Sequence, residues 1–208
     1  MIVMRKILKF IMNINSGGPK YEPDKWNSDL TIRNSHNCYS YFLNDISKIL
    51  RNKCNKCLDD STNCPSNCDH LKPQPGNCNN ITDNINYDCQ ELIKKIKKDN
   101  PKIIVIPPKK FNKIKSNTPI GYYLGAVVQE INNKSYHFYR KDRNGFWSHK
   151  PGQNNATNLD AEGKVIYNLL DASKSYNDIK YKNEPCCYFY IPYNSIYKTN
   201  SCVNNLVI

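Results

Sequence analysis

Tyr136-His137-Phe138-Tyr139-Arg140-Lys141-Asp142-Arg143-Asn144-Gly145-Phe146-Trp147-Ser148-His149-Lys150 is the stretch that decides the fold. Ser135 to Lys141 alternates as a strand does, Asp142 to Gly145 is turn chemistry, and Phe146 to Lys150 reads as the returning strand. If the turn centres on Arg143, His137 and His149 stand opposite one another and project to one face.

Working outward, Gly121 to Ile131 is a strand joined to this hairpin by Asn132-Asn133-Lys134. Pro151-Gly152 ends the returning strand, residues 156–178 form a loop-rich return, and Cys187 to Ile191 is a final buried strand. Upstream, Ile103 to Ile106 is a short buried strand, and Asp88 to Lys98 is a helix with Leu92, Ile93 and Ile96 inward and Pro101 beyond its end. Tyr39, Phe42, Leu43, Ile46, Ile49 and Leu50 recur at spacings of three and four, which predicts one amphipathic helix capped by Asn37 or Ser35. The fold class is therefore α+β, an N-terminal helix packed on an antiparallel sheet. The organisation is an extension over residues 1–33, with Gly17-Gly18-Pro19 as a break and Trp26 as its anchor, a domain over 34–192, and a polar tail over 193–208.

Residues 52–88 read as a Cys-rich insertion in that domain, too hydrophilic for a core of its own. Five of the 10 cysteines fall there, Cys54, Cys57, Cys64, Cys68 and Cys78, and Cys89 follows immediately. Cys54, Cys57, Cys64 and Cys68 have spacings close to those of a structural zinc site, with His70 nearby. The same thiols could form two or three disulfides stapling the loop, which is the preferred reading, or stay free. No other cofactor is expected.

The chain has 208 residues and a formal net charge of +12. Its lysines are scattered and no nucleic-acid-binding signature is present, so a solvated basic face is expected rather than a nucleic-acid partner. Met1 to Met12 is apolar, but lysines interrupt it and no small-residue cleavage site follows, so it does not read as a secretory signal; no stretch is long enough for a membrane span. Heavy use of Asn, Lys, Ile and Tyr reflects a low-GC coding genome.

Chemistry converges on three residues. Cys38 falls in the first turn of the expected helix, where unpaired amides and the helix dipole favour an anion and should lower a thiol's pKa. A thiolate nucleophile needs a base within hydrogen-bond reach and an orienter for that base. His137 and His149 can supply these, with the Cys38 amide and Asn37 or a tyrosine meeting the oxyanion, and Asp142 and Asp160 as alternative orienters.

A helix-start cysteine, a strand histidine and a polar residue on the adjoining strand, with 12 residues from His137 to His149 and an aromatic at Tyr41, resemble papain-like cysteine hydrolases of the NlpC and CHAP kind. More closely, Tyr136 to Asp142, Trp147 to Gly152 and Thr157-Asn158-Leu159-Asp160-Ala161 resemble a group found in bacteria and large DNA viruses. The resemblance implies a papain-like core and thiol-dependent hydrolysis of an amide bond by Cys38, His137 and His149, with a peptide, protein or peptidoglycan-like substrate. The alternative is a non-catalytic structural or virion protein with a disulfide- or zinc-stapled segment.

Overall fold

The computed structural model describes residues 18–60, 68–76, 88–114, 118–176 and 179–195. Cys64, Cys78, the Met1 to Met12 segment and residues 196–208 lie outside them. The architecture is mixed helix and antiparallel sheet. Four short helices, α1 (Asp24–Asn27), α2 (Leu30–Ser35), α3 (Cys38–Leu43) and α4 (Lys48–Asp59), lead to a 3-10 turn (Asp69–Leu71) and α5 (Cys89–Asp99). Then come β1 (Ile104–Ile106), α6 (Pro108–Ile114), β2 (Tyr122–Gln129), β3 (Tyr136–Lys141), β4 (Trp147–Ser148), a small ribbon of β5 (Ser175–Tyr176) and β6 (Ile179–Lys180), and β7 (Cys187–Pro192). The main sheet runs β1-β7-β2-β3-β4, with every pairing antiparallel.

Both faces of the sheet are covered. Along β2, Tyr123 and Val127 join Cys38, Tyr39, Phe42, Phe138 and Phe189 in one cluster, while Leu124, Ala126 and Val128 join Tyr139, Trp147 and Tyr188 in the other. That is the two-residue period of a strand, here apolar on both sides. Gly125 permits the closest approach: a Cβ there would meet Phe42 Cε2 at 2.3 Å and Ile191 Cδ1 at 2.6 Å. Phe42 is thereby fully buried against the strand, worth about 1.5–3 kcal/mol relative to exposure.

The single helix expected over Tyr39 to Leu50 is two helices. Asn44 takes a left-handed conformation (φ 53°) and closes α3 with its N–H to Ser40 O and Tyr41 O, and Ser47 Oγ caps α4 by accepting from Leu50 N. Asn44 Oδ1 also accepts from Arg140 Nη1 at 2.9 Å, a long-range bond that sequence periodicity cannot register. The Cys-rich insertion is likewise partly helical, since α4 continues to Asp59 with Leu50 and Cys54 buried on one stripe.

Trp26 does anchor the N-terminal extension: it is buried, with its ring 4.9 Å from that of Tyr41. Two disulfides join pairs of described residues. Cys54–Cys68 fastens the 3-10 turn to α4, and Cys89–Cys186 ties the start of α5 to the residue before β7 across 97 positions. The second reaches out of the Cys-rich stretch, where only local staples were expected. Among the described residues, no helix is long and apolar enough to cross a membrane.

Candidate active site

Asn37 caps α3 as expected: its side-chain oxygen accepts from Tyr39 N at 3.1 Å and Ser40 N at 3.3 Å. One N–H of its amide donates to Pro73 O at 2.7 Å, which leaves the second as a donor, and Asn37 lines the same cleft as Cys38. Cys38 follows as the first helical residue and is a free thiol. It lines a cleft of about 700 Å³ with His137, Tyr136, Tyr176 and Tyr181.

Burial decides the thiol's acidity. It pushes Cys38 up to about 11, against the backbone N–H groups of Phe138, Tyr39 and Cys38 itself and the charge of Lys150, all of which favour the thiolate. The expected lowering by the helix start is therefore outweighed by burial of the thiol.

The two histidines meet, by a different register from the one expected. The ladder pairs Arg140 with Ser148 and Lys141 with Trp147, so the turn centres on Asn144 and continuation of that register sets His149 across from Tyr139. His137 and His149 are diagonal neighbours, and His137 Nε2 lies 2.8 Å from His149 Nδ1. His149 is also bridged to Thr157, which draws the chain away from β3.

The proton positions in this pair follow from one carbonyl. His149 Nε2 lies 2.9 Å from Leu159 O, which can only accept, so His149 carries its proton on Nε2 and presents a lone pair at Nδ1. His137 must then donate through Nε2, which leaves Nδ1 as its unprotonated nitrogen. Burial keeps both rings neutral: His149 is lowered to about 4, and His137 falls well below its usual value through burial and the charge of His149. Leu159 lies in the loop-rich return, and a backbone carbonyl leaves no mark in a sequence.

The other candidates fall elsewhere. Asp142 accepts from Arg140 Nε at 2.8 Å and from Ser148 Oγ, and Asp160 holds the backbone N–H groups of Glu162, Lys164 and Ser173, so both are turn and loop residues. Of the proposed zinc ligands, Cys54 and Cys68 are bonded to each other and Cys57 is also disulfide-bonded. These residues do not fit a zinc ion. Among the described residues, no group of three or more His, Cys, Asp or Glu side chains is placed to hold a metal.

The Cys-rich stretch instead contributes to the cleft. Asp69, Lys72 and Gln74 line it, Lys72 is ion-paired with Asp69, and the Tyr136 hydroxyl donates to Gln74 Oε1, which leaves the Gln74 amide nitrogen as a donor. Sequence reasoning did not single out Gln74 or Lys150, because a polar residue in a loop and a lysine at a strand end both read as solvated.

No family model and no solved structure matches the chain. A segment of 46 residues is 46% identical to insoluble matrix shell protein 1 of Ruditapes philippinarum; it covers 22% of this chain and 31% of that protein.

Proposed function

We propose that the protein is a thiol-dependent hydrolase of an amide bond, with a papain-like arrangement of Cys38 as nucleophile, His137 as base and His149 as orienter. The observation that carries this reading is the hydrogen bond of 2.8 Å between His137 Nε2 and His149 Nδ1, beside a cleft that Cys38 shares. With Nε2 committed, the lone pair of His137 Nδ1 is the one available to take the thiol proton. Because burial raises the thiol and keeps both rings neutral, the proton passes as sulfur attacks the carbonyl carbon, with no thiolate–imidazolium pair formed beforehand. His137 then returns the proton to the leaving amine, and water releases the acyl group from sulfur. The Cys38 amide and the Gln74 side chain are the donors at hand for the oxyanion. The substrate class is a peptide, isopeptide or cell-wall amide.

The test is turnover of peptide, isopeptide and muropeptide libraries. Product release by the native protein and none by Cys38→Ala supports the reading; equal release by Cys38→Ala overturns it.

A second reading is favoured by two observations, the disulfides and the match to a shell matrix protein. In it the chain is a cross-linked structural component of a matrix or virion, and Cys38 serves packing. Such a protein shows no Cys38-dependent turnover, and its assembly is lost on reduction.

A further inference from the structure

A strap of chain from Cys68 to Gly76 crosses beside the cleft, and its second half reads Lys72-Pro73-Gln74-Pro75-Gly76. Each proline fixes its own φ and confines the residue before it to extended backbone, so Lys72 and Gln74 are both held extended. Side chains of such a segment alternate between faces: Leu71, Pro73 and Pro75 are buried, while Lys72 and Gln74 are half-buried and line the cleft. The two ends are fastened separately. Cys68 is bonded to Cys54 of α4, and Gly76 N donates to Asp99 Oδ2 of α5 at 2.7 Å.

Between those ends, two consecutive residues are tied to the reacting pair. Asn37, which precedes Cys38, donates to Pro73 O at 2.7 Å; Tyr136, which precedes His137, donates its hydroxyl to Gln74 Oε1. Peptide and hydrogen bonds therefore run unbroken from Cys38 through Asn37, Pro73, Gln74 and Tyr136 to His137, and Cys38, Gln74 and His137 line one cleft. With its oxygen engaged by a donor, the Gln74 amide offers the cleft its nitrogen, which can only donate. Tyr136 is itself buried, its ring set edge-on to Phe138 with centroids 5.4 Å apart, so the hydroxyl has a fixed place.

We infer that Tyr136 is a positioning residue for the oxyanion: its hydroxyl holds Gln74 Oε1, and so presents the Gln74 amide nitrogen to the charge that gathers on the carbonyl oxygen as sulfur attacks. The inference rests on the hydrolase reading. It also gives the Cys-rich stretch a part in the reaction, since the strap belongs to that stretch.

The test compares two reactions of the Cys38 thiol in the full chain, with the modified residue located by mass spectrometry. With p-nitrophenyl acetate, sulfur attacks the carbonyl carbon and the thiol proton passes to His137. An oxyanion forms, the bond to p-nitrophenolate breaks, and the acetyl group stays on sulfur. With iodoacetamide, sulfur displaces iodide from a saturated carbon and no oxyanion forms. Gln74→Ala should slow acylation about 100-fold or more, the effect of removing one oxyanion donor. Tyr136→Phe, which loses one oxygen and keeps its ring, should slow acylation about tenfold and add little in the Gln74→Ala background. Both variants should be alkylated at close to the native rate, which a general disturbance of the thiol or the fold would not allow. Native-rate acylation in either variant overturns the inference, as does a Tyr136→Phe loss that is the same with and without Gln74. Cys38 left unacylated in the native protein sinks the hydrolase reading and the inference with it, whereas acylation of Cys38 that is indifferent to Tyr136 sinks the positioning role alone.

Discussion

Two buried polar clusters sit side by side on β3 and its neighbour, and they are built on opposite principles. Around Arg140, nearly every group is spent: Nε on Asp142, Nη1 on Tyr41 O and Asn44 Oδ1, Nη2 on Lys20 O, and the guanidinium carbon 3.8 Å from the centre of the Tyr41 ring. Asp142 in turn accepts from Ser148, which is bonded to the Tyr41 hydroxyl at 2.8 Å. A few residues away, the His137–His149 pair is satisfied on one side only. Leu159 O and the shared bond fix three ring nitrogens, and the fourth, His137 Nδ1, is left as a lone pair. A saturated network locks a structure; a network with one directed vacancy can move a proton. The difference lies in the last bond and not in burial, because the side chains of Arg140, Asp142, His137 and His149 are all buried.

This contrast can be broken by substitution. Cys38→Ala should remove turnover completely while leaving the denaturation midpoint within the range of a small core change, measured by substrate cleavage beside urea unfolding. Asp142→Ala should do the reverse. It leaves Arg140 buried without its carboxylate, at a cost of about 3–5 kcal/mol, seen as a lower urea midpoint. A full-strength Asp142→Ala variant would mean that the Arg140 network does not lock the fold.

Acidity sharpens the comparison. His149 is lowered to about 4, and so is His36, chiefly by burial; His36 accepts from Ser47 N at 2.9 Å through Nε2. As pH falls below 6.5 the unfolded chain takes up protons that these rings decline until about 4, so stability present at neutral pH is lost across that window. Each ring contributes on the order of 3 kcal/mol. Asp142, raised by burial, runs the other way, because its folded form holds a proton more readily than the unfolded one. Urea unfolding followed from pH 7 down to 4 should show a steep net loss; a flat profile would mean that the histidines are not buried and neutral.

A smaller effect is expected at the sheet. Gly125→Ala should cost about 1–3 kcal/mol by forcing Phe42 and Ile191 apart, and should leave the histidine pair on the opposite face untouched. Loss of thermal stability with unchanged histidine titration checks this.

The parts of the fold written in local pattern were legible. The strand over Tyr136 to Lys141 and the cap at Asn37 need only alternation and a side-chain oxygen at a helix start, and the structure has both. Features set by distant partners were not. Asn44 breaks the helix where Arg140, 96 residues away, takes its side-chain oxygen. The hairpin register slipped because the turn centres on Asn144, with Gly145 at φ 88°, and not on Arg143. The histidine contact survived that slip because diagonal neighbours are also within reach of long side chains. The orienting carbonyl of Leu159 and the buried Lys150 carry no local signature.

The most direct test of the open lone pair is the tautomeric state of His137 and His149 at neutral pH, read from long-range proton–nitrogen correlations of the imidazole rings. The account predicts two neutral rings, both protonated at Nε2, with His137 Nδ1 bare. A His137 protonated at Nδ1, or an imidazolium at either position, would contradict it.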